Sequence, residues 1–118
     1  MKHVESRIQS ACVRWFRLQY PEYAKLLISI PNGVATTEIQ GRVLKREGMV
    51  AGASDLILLL PNKSYPFLCI EMKTEKGVQS SEQKSWQKDV EERATAKYVV
   101  VRSFDGFMDL INGYLKDI

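Results

Sequence analysis

Asp55, Glu71 and Lys73 are the residues whose types and spacing best suit chemistry. In the segment 66–73 side chains alternate between two faces. Phe67, Cys69, Glu71 and Lys73 therefore share one face, and Leu68, Ile70 and Met72 take the other. An acid and a base at the end of a core strand cost stability unless something uses them. Asp55 opens the preceding apolar run, just after Gly52, Ala53 and Ser54. If the two runs form a hairpin closed by the turn at 61–65, Asp55 and Glu71 meet at its open end. Two converging carboxylates repel, and a hard divalent cation such as Mg²⁺ relieves the repulsion. It would take Asp55, Glu71, several waters and a main-chain oxygen, for which the Met72 carbonyl is the natural choice. Lys73 beside such an ion can hold a nucleophilic water or stabilise charge on a transferring phosphate. E-x-K alone fits a structural ion pair equally well. The upstream G-x-x-D on a neighbouring strand is what favours the metal reading.

Other chemistries lack residues. His3 is the single histidine and sits at the terminus, so a Ser-His-Asp site has no base within the fold. H-E-x-x-H, G-x-x-x-x-G-K-[ST] and G-x-G-x-x-G are absent. Cys12 and Cys69 lie inside apolar patterns without metal-ligand spacing, as expected of reduced thiols in an intracellular protein. No apolar run approaches the ~20 residues that span a bilayer, and no apolar signal core opens the chain.

A length of 118 residues suits a single domain over 1–118. Val4, Ile8, Ala11, Cys12, Trp15 and Leu18 recur at helical spacing, which predicts an amphipathic helix over 3–20, ended by Pro21. A short strand at 26–30 follows. Thr36 or Thr37 caps a second helix that runs to about Glu47 and ends at Gly48. Strands at 56–60 and 66–73 pair as a hairpin. Ser80 or Ser81 caps a helix from Glu82 to about Arg93, with Gln83 at the capping-box position if Ser80 is the cap. A strand at 97–102 and a helix at 104–115, with Phe107, Leu110, Ile111, Tyr114 and Leu115 inward, complete the chain. A hairpin combined with crossovers predicts an α/β fold, a mixed sheet covered by helices on both faces.

Charge is less decisive. The net charge is +3, and up to Ser54 eight Lys or Arg stand against four Asp or Glu, a local balance of +4. Arg42, Lys45 and Arg46 cluster on one segment, which fits either a phosphate-binding face or a solvated helix face. Lys84 and Lys88 on the later helix are the next candidates for nucleic-acid contact. Glu5 lies about 70° from the centre of the apolar stripe of its helix at 100° per residue. It either reaches into a site or is a solvated first-turn acid favoured by the helix dipole. Gln83 shares a face with Trp86 and Val90 and either caps its helix or orients Lys73 or a water.

Taken together, Glu5, Gly52-x-x-Asp55, Glu71-Met72-Lys73 and Gln83 within Ser81-Glu82-Gln83-Lys84-Ser85-Trp86 resemble the VRR-NUC branch of the PD-(D/E)XK nucleases. The resemblance covers essentially the whole chain. It implies a restriction-endonuclease-like mixed β-sheet flanked by α-helices, and Mg²⁺ or Mn²⁺ bound by Asp55, Glu71 and the Met72 carbonyl. It further implies Glu5 as an additional acid of the site, able to act on the ion through water, Lys73 as the catalytic lysine and Gln83 as an orienting residue. The family usually has Pro before the Asp. Here Ser54 stands there, which bears on the turn more than on the ligands. Asn32 and Gly33 match a family turn near the site, and equally a plain Asn-Gly turn. Stand-alone members of this size resemble viral or phage proteins that act as homodimers on branched DNA, four-way junctions especially. The resemblance thus implies an endonuclease acting on DNA inside a cell. A non-catalytic nucleic-acid-binding module on the same fold, or a nuclease for unbranched DNA or RNA, is the alternative.

Overall fold

The computed structural model describes residues 3–31 and 37–118. The Asn32-Gly33 turn lies outside them, as does the side chain of His3. Helix α1 spans His3–Gln19 and stops before Pro21, which opens a 3₁₀ turn over Pro21–Leu26. Strand β1 is Leu27–Ser29. Helix α2, Glu38–Arg46, starts where the Thr37 hydroxyl accepts the Gln40 N–H at 3.0 Å, and the chain leaves it through Gly48 at φ +111°. Strands β2, Leu56–Leu58, and β3, Leu68–Met72, follow, then helix α3 over Ser81–Glu92, strand β4 over Lys97–Val101 and helix α4 over Phe104–Lys116.

The strands form a four-stranded sheet in the order β1-β2-β3-β4. β1 and β2 are antiparallel, β2 and β3 are antiparallel, and β3 and β4 are parallel across the α3 crossover. The expected mixed sheet is therefore present, and both faces are covered. On one face Leu56, Leu58, Leu68, Ile70 and Met72 pack with Cys12 and Phe16 of α1 and Phe107, Ile111 and Tyr114 of α4. On the other, Cys69 and Tyr98 pack with Val90 of α3 and with Ala96, flanked by Ile57, Phe67, Trp86 and Val100. The two thiols sit on opposite sides of the sheet, both free and buried, and burial raises each to about 11.

The α1 stripe differs from its expected line. Leu18 is 73% exposed and Val4 54%, whereas Phe16 is fully buried beside Cys12. The buried stripe is centred on the 12/16 edge, because the sheet and α4 receive that edge. Among the described residues, no helix is long and apolar enough to cross a membrane.

Candidate active site

The site lies where β2 begins and β3 ends. Leu56 pairs with Ile70, so Asp55, one residue earlier, stands level with Glu71. Asp55 Oδ2 accepts the Met72 N–H at 2.6 Å, and the Asp55 carbonyl accepts the Ile30 N–H at 2.9 Å. The second bond extends the β1–β2 ladder by one residue, and the first ties the Asp55 side chain to the β3 backbone, so Asp55 is held against both neighbouring strands. Burial raises the Asp55 carboxyl above the ordinary carboxylate range. The Met72 N–H opposes this, Glu71 and then Glu5 add to it, and Lys73 opposes it. Glu5 is thus close enough for its charge to be felt, and it is half-buried, since the 12/16 edge on which it lies faces the sheet.

Glu71 is 1% exposed. Its Oε1 accepts from the Tyr98 hydroxyl and from Gln79 Nε2 at 3.3 Å. Its Oε2 has no hydrogen-bond partner, and the Lys73 ammonium stands 3.7 Å away, beyond hydrogen-bond reach. A buried carboxylate oxygen left in this way is costly. It is the atom that a cation would satisfy, so the residues present fit a hard metal ion. In an extended strand a residue's N–H and C=O leave on the same edge. The Met72 carbonyl therefore leaves on the edge from which its N–H reaches Asp55. Among the described residues no three Asp, Glu, His or Cys side chains converge as a ready-made cage. That leaves two carboxylates and a main-chain oxygen, with Glu5 standing off.

Gly52 explains the glycine of the G-x-x-D pattern. Its φ is +86°, and a Cβ there would lie 2.4 Å from the Glu82 carbonyl carbon and 2.7 Å from the Gln83 nitrogen. The turn before Asp55 is thus pressed against the backbone of the first turn of α3. Gly48 also has a positive φ, but a Cβ there meets nothing within 4 Å. Gly52→Ala is expected to cost about 2–5 kcal/mol, from left-handed strain plus the backbone clash. Gly48→Ala should cost only the strain, about 1–2 kcal/mol. Thermal melts of the pair check this, and equal losses would mean that the contact with α3 carries nothing. Ser54, where a proline was expected, is fully buried and donates its hydroxyl to the Leu56 carbonyl at 3.2 Å, so a hydrogen bond holds this turn.

Gln83 closes the capping box. Its Oε1 accepts the Ser80 N–H at 2.8 Å while Ser80 Oγ accepts the Gln83 N–H at 3.1 Å. Its amide oxygen is thereby engaged by the helix end, and Gln83 still lines a cleft of about 370 Å³ together with Asp55, Gly52, Ser80 and Glu82. This cleft is the open approach to Asp55. Arg42, Lys45 and Arg46 are exposed on α2; Arg42 forms an exposed ion pair with Glu38 at 3.7 Å, and the charge of Lys45 is felt by Glu82 of the cleft wall. Lys84 and Lys88 are exposed on α3. The structure therefore brings together Asp55, Glu71, Met72 and Lys73, with Glu5 nearby and Gln83 at the cleft wall.

Sequence reasoning missed Tyr98 and Gln79. Tyr98 pairs with Cys69, which sets its side chain diagonal to Glu71 on the same sheet face. Burial, and then the carboxylate to which it donates, hold its phenol well above the ordinary tyrosine range. The available signal was a tyrosine inside an apolar strand, whose hydroxyl needs a partner.

The comparisons with known proteins bear on the fold and the family. No curated protein matches the sequence. A solved structure described as a VRR_NUC domain protein aligns with TM-score 0.84 over 99% of this chain and 92% of that one, at 21% identity, which is a likeness of fold. The sequence model of the VRR-NUC domain matches residues 3–105, from the helix that carries Glu5 through the strand that carries Tyr98. With its fold and nearly its whole sequence accounted for in this way, the chain belongs to the VRR-NUC domain family, whose fold is of the nuclease type.

Proposed function

We propose that this protein is a metal-dependent endonuclease that hydrolyses DNA phosphodiester bonds, selects branched DNA such as four-way junctions, and acts as a homodimer. The observation that carries the reading is Glu71. It is a fully buried carboxylate whose Oε1 accepts from Tyr98 and Gln79 while its Oε2 has no hydrogen bond and stands 3.7 Å from the Lys73 ammonium. A structural carboxylate would have both oxygens satisfied.

Asp55, Glu71 and the Met72 carbonyl would hold Mg²⁺ or Mn²⁺, with Glu5 acting through water. The bound ion supplies Lewis-acid stabilisation of charge on the phosphate and lowers the pKa of a coordinated water. Lys73 then offers three N–H donors beside Glu71 to orient a water or a phosphate oxygen. Gly52 and the Gln83 cap fix the cleft wall through which phosphate approaches Asp55. Backbone contacts position DNA without encoding its sequence, so selectivity would come from shape.

A monomer has one such centre, and resolving a four-way junction takes two symmetric cuts. A two-fold dimer supplies both. The reading is tested by cleavage assays on labelled four-way junctions, flaps, duplexes, single strands and an RNA control, with Mg²⁺ and with EDTA. Junction cleavage abolished by EDTA supports it; no cleavage of any substrate sinks it in favour of a binding module. Sedimentation at micromolar concentration tests the dimer, and a strict monomer refutes paired cutting.

For the basic helix, Arg42→Ala/Arg46→Ala is expected to weaken binding to every DNA. It should also flatten the slope of log affinity against log salt by about 2. Both side chains are exposed and no residue of α2 is buried, so the fold should survive. An unchanged slope would move the phosphate contacts to Lys84 and Lys88.

A further inference from the structure

Glu71 is oriented from outside the hairpin that carries it. Its Oε1 is taken up by the Tyr98 hydroxyl, which arrives on β4, and by the Gln79 amide, which precedes α3. Gln79 is itself tied down, since the same Nε2 donates to Gln87 Oε1 at 2.8 Å and Gln87 Nε2 donates to Glu91 Oε2 at 3.2 Å. The Tyr98 ring is wedged edge-on against Trp86, with centroids 6.0 Å apart and an interplanar angle of 61°. Both donors converge on one oxygen and leave the other without a hydrogen bond.

We infer that Tyr98 is a positioning residue for the metal centre, whose hydroxyl, with the Gln79 amide, occupies Oε1 of Glu71 so that Oε2 alone is presented to the divalent cation. The inference rests on the metal-dependent reading above. A carboxylate with both oxygens free in a buried site can rotate toward Lys73 or chelate through both atoms. Saturating Oε1 fixes the rotation and makes Glu71 a one-oxygen ligand beside Asp55. Outer partners of this kind commonly contribute 10–100-fold to metal affinity.

The test is a Mn²⁺ titration of the full chain without DNA, followed by calorimetry and by the free-Mn²⁺ electron spin resonance signal. Tyr98→Phe keeps the ring against Trp86 and removes only the hydroxyl. It is expected to weaken Mn²⁺ binding ~10–100-fold, and the metal concentration for half-maximal cleavage should rise by the same factor. Gln79→Ala, at a loop position ahead of α3, should shift affinity in the same direction by less, and serves if Tyr98→Phe unfolds. A purely structural tyrosine would lower the melting temperature and leave the Mn²⁺ affinity as it is. Wild-type affinity in the folded variants overturns the inference while leaving the metal centre standing. A wild-type chain that binds no Mn²⁺, or binds it equally well as Glu71→Gln, overturns the metal centre and this inference with it.

Discussion

Glu71→Gln and Asp55→Asn are each expected to reduce cleavage of a four-way junction by ~10²-fold or more, with DNA binding retained or tightened. Under the proposed function each carboxylate would matter more as charge develops on the phosphate than in the bound ground state, so its loss should fall on turnover. Removing an acid also removes repulsion of phosphate, which accounts for the expected tightening. Asp55→Asn should gain stability even as it loses activity. Asp55's folded pKa is raised, chiefly by burial. Its favourable share of stability is therefore present below the ordinary carboxylate range and is lost as pH rises through the raised pKa. Above that window the metal-free Asn variant should melt higher than the wild type, and below it the two should converge. Added Mg²⁺ should raise the wild-type melting temperature and not that of the variant. Turnover near that of the wild type in either mutant would remove that residue from the site.

Lys73→Arg is expected to fail nearly as badly as Lys73→Ala, each by ~10²–10³-fold in turnover. The ammonium is a compact charge on a flexible stem, whereas guanidinium is a planar fork that places its donors elsewhere. Lys73 stands 3.7 Å from Glu71 Oε2 with its side chain only 15% exposed, so a guanidinium would have to be accommodated in a largely buried position. Lys73→Met should stay folded, because a long unbranched side chain fits the same strand face. Steady-state cleavage with matched melting curves separates the cases. Full rescue by Arg would reduce Lys73 to an ion-pair partner of Glu71.

The hairpin and its acid pair were legible because strong local signals agree. A Pro-Asn turn closes two apolar runs, and strict alternation sends Glu71 and Lys73 to the face opposite Ile70 and Met72. The capping box at Ser80 and Gln83 was legible for the same reason, although the sequence left open what the Gln83 amide does. Tyr98 was not, because its meeting with Glu71 depends on the β3–β4 parallel register, which no local pattern encodes. The buried edge of α1 was less legible, and Val4 and Leu18 of the expected stripe are exposed. A helix with apolar residues on several sides has more than one plausible buried edge, and tertiary packing chose the one through Cys12 and Phe16. That choice brings Glu5 toward the site.

The sheet divides the interior into two clusters that do not share side chains. Substitutions are expected to act differently in the two. Exchanges of similar volume among Leu56, Leu58, Leu68, Ile70 and Ile111 should affect stability alone, because Glu71 lies across the sheet from them. Changes around Cys69, Val90, Ala96 and Tyr98 spend stability and ligand geometry together. Under the proposed function, variation is therefore expected to be freer beneath α1 and α4 than beneath α3, where the hydrophobic core also holds the partners of Glu71.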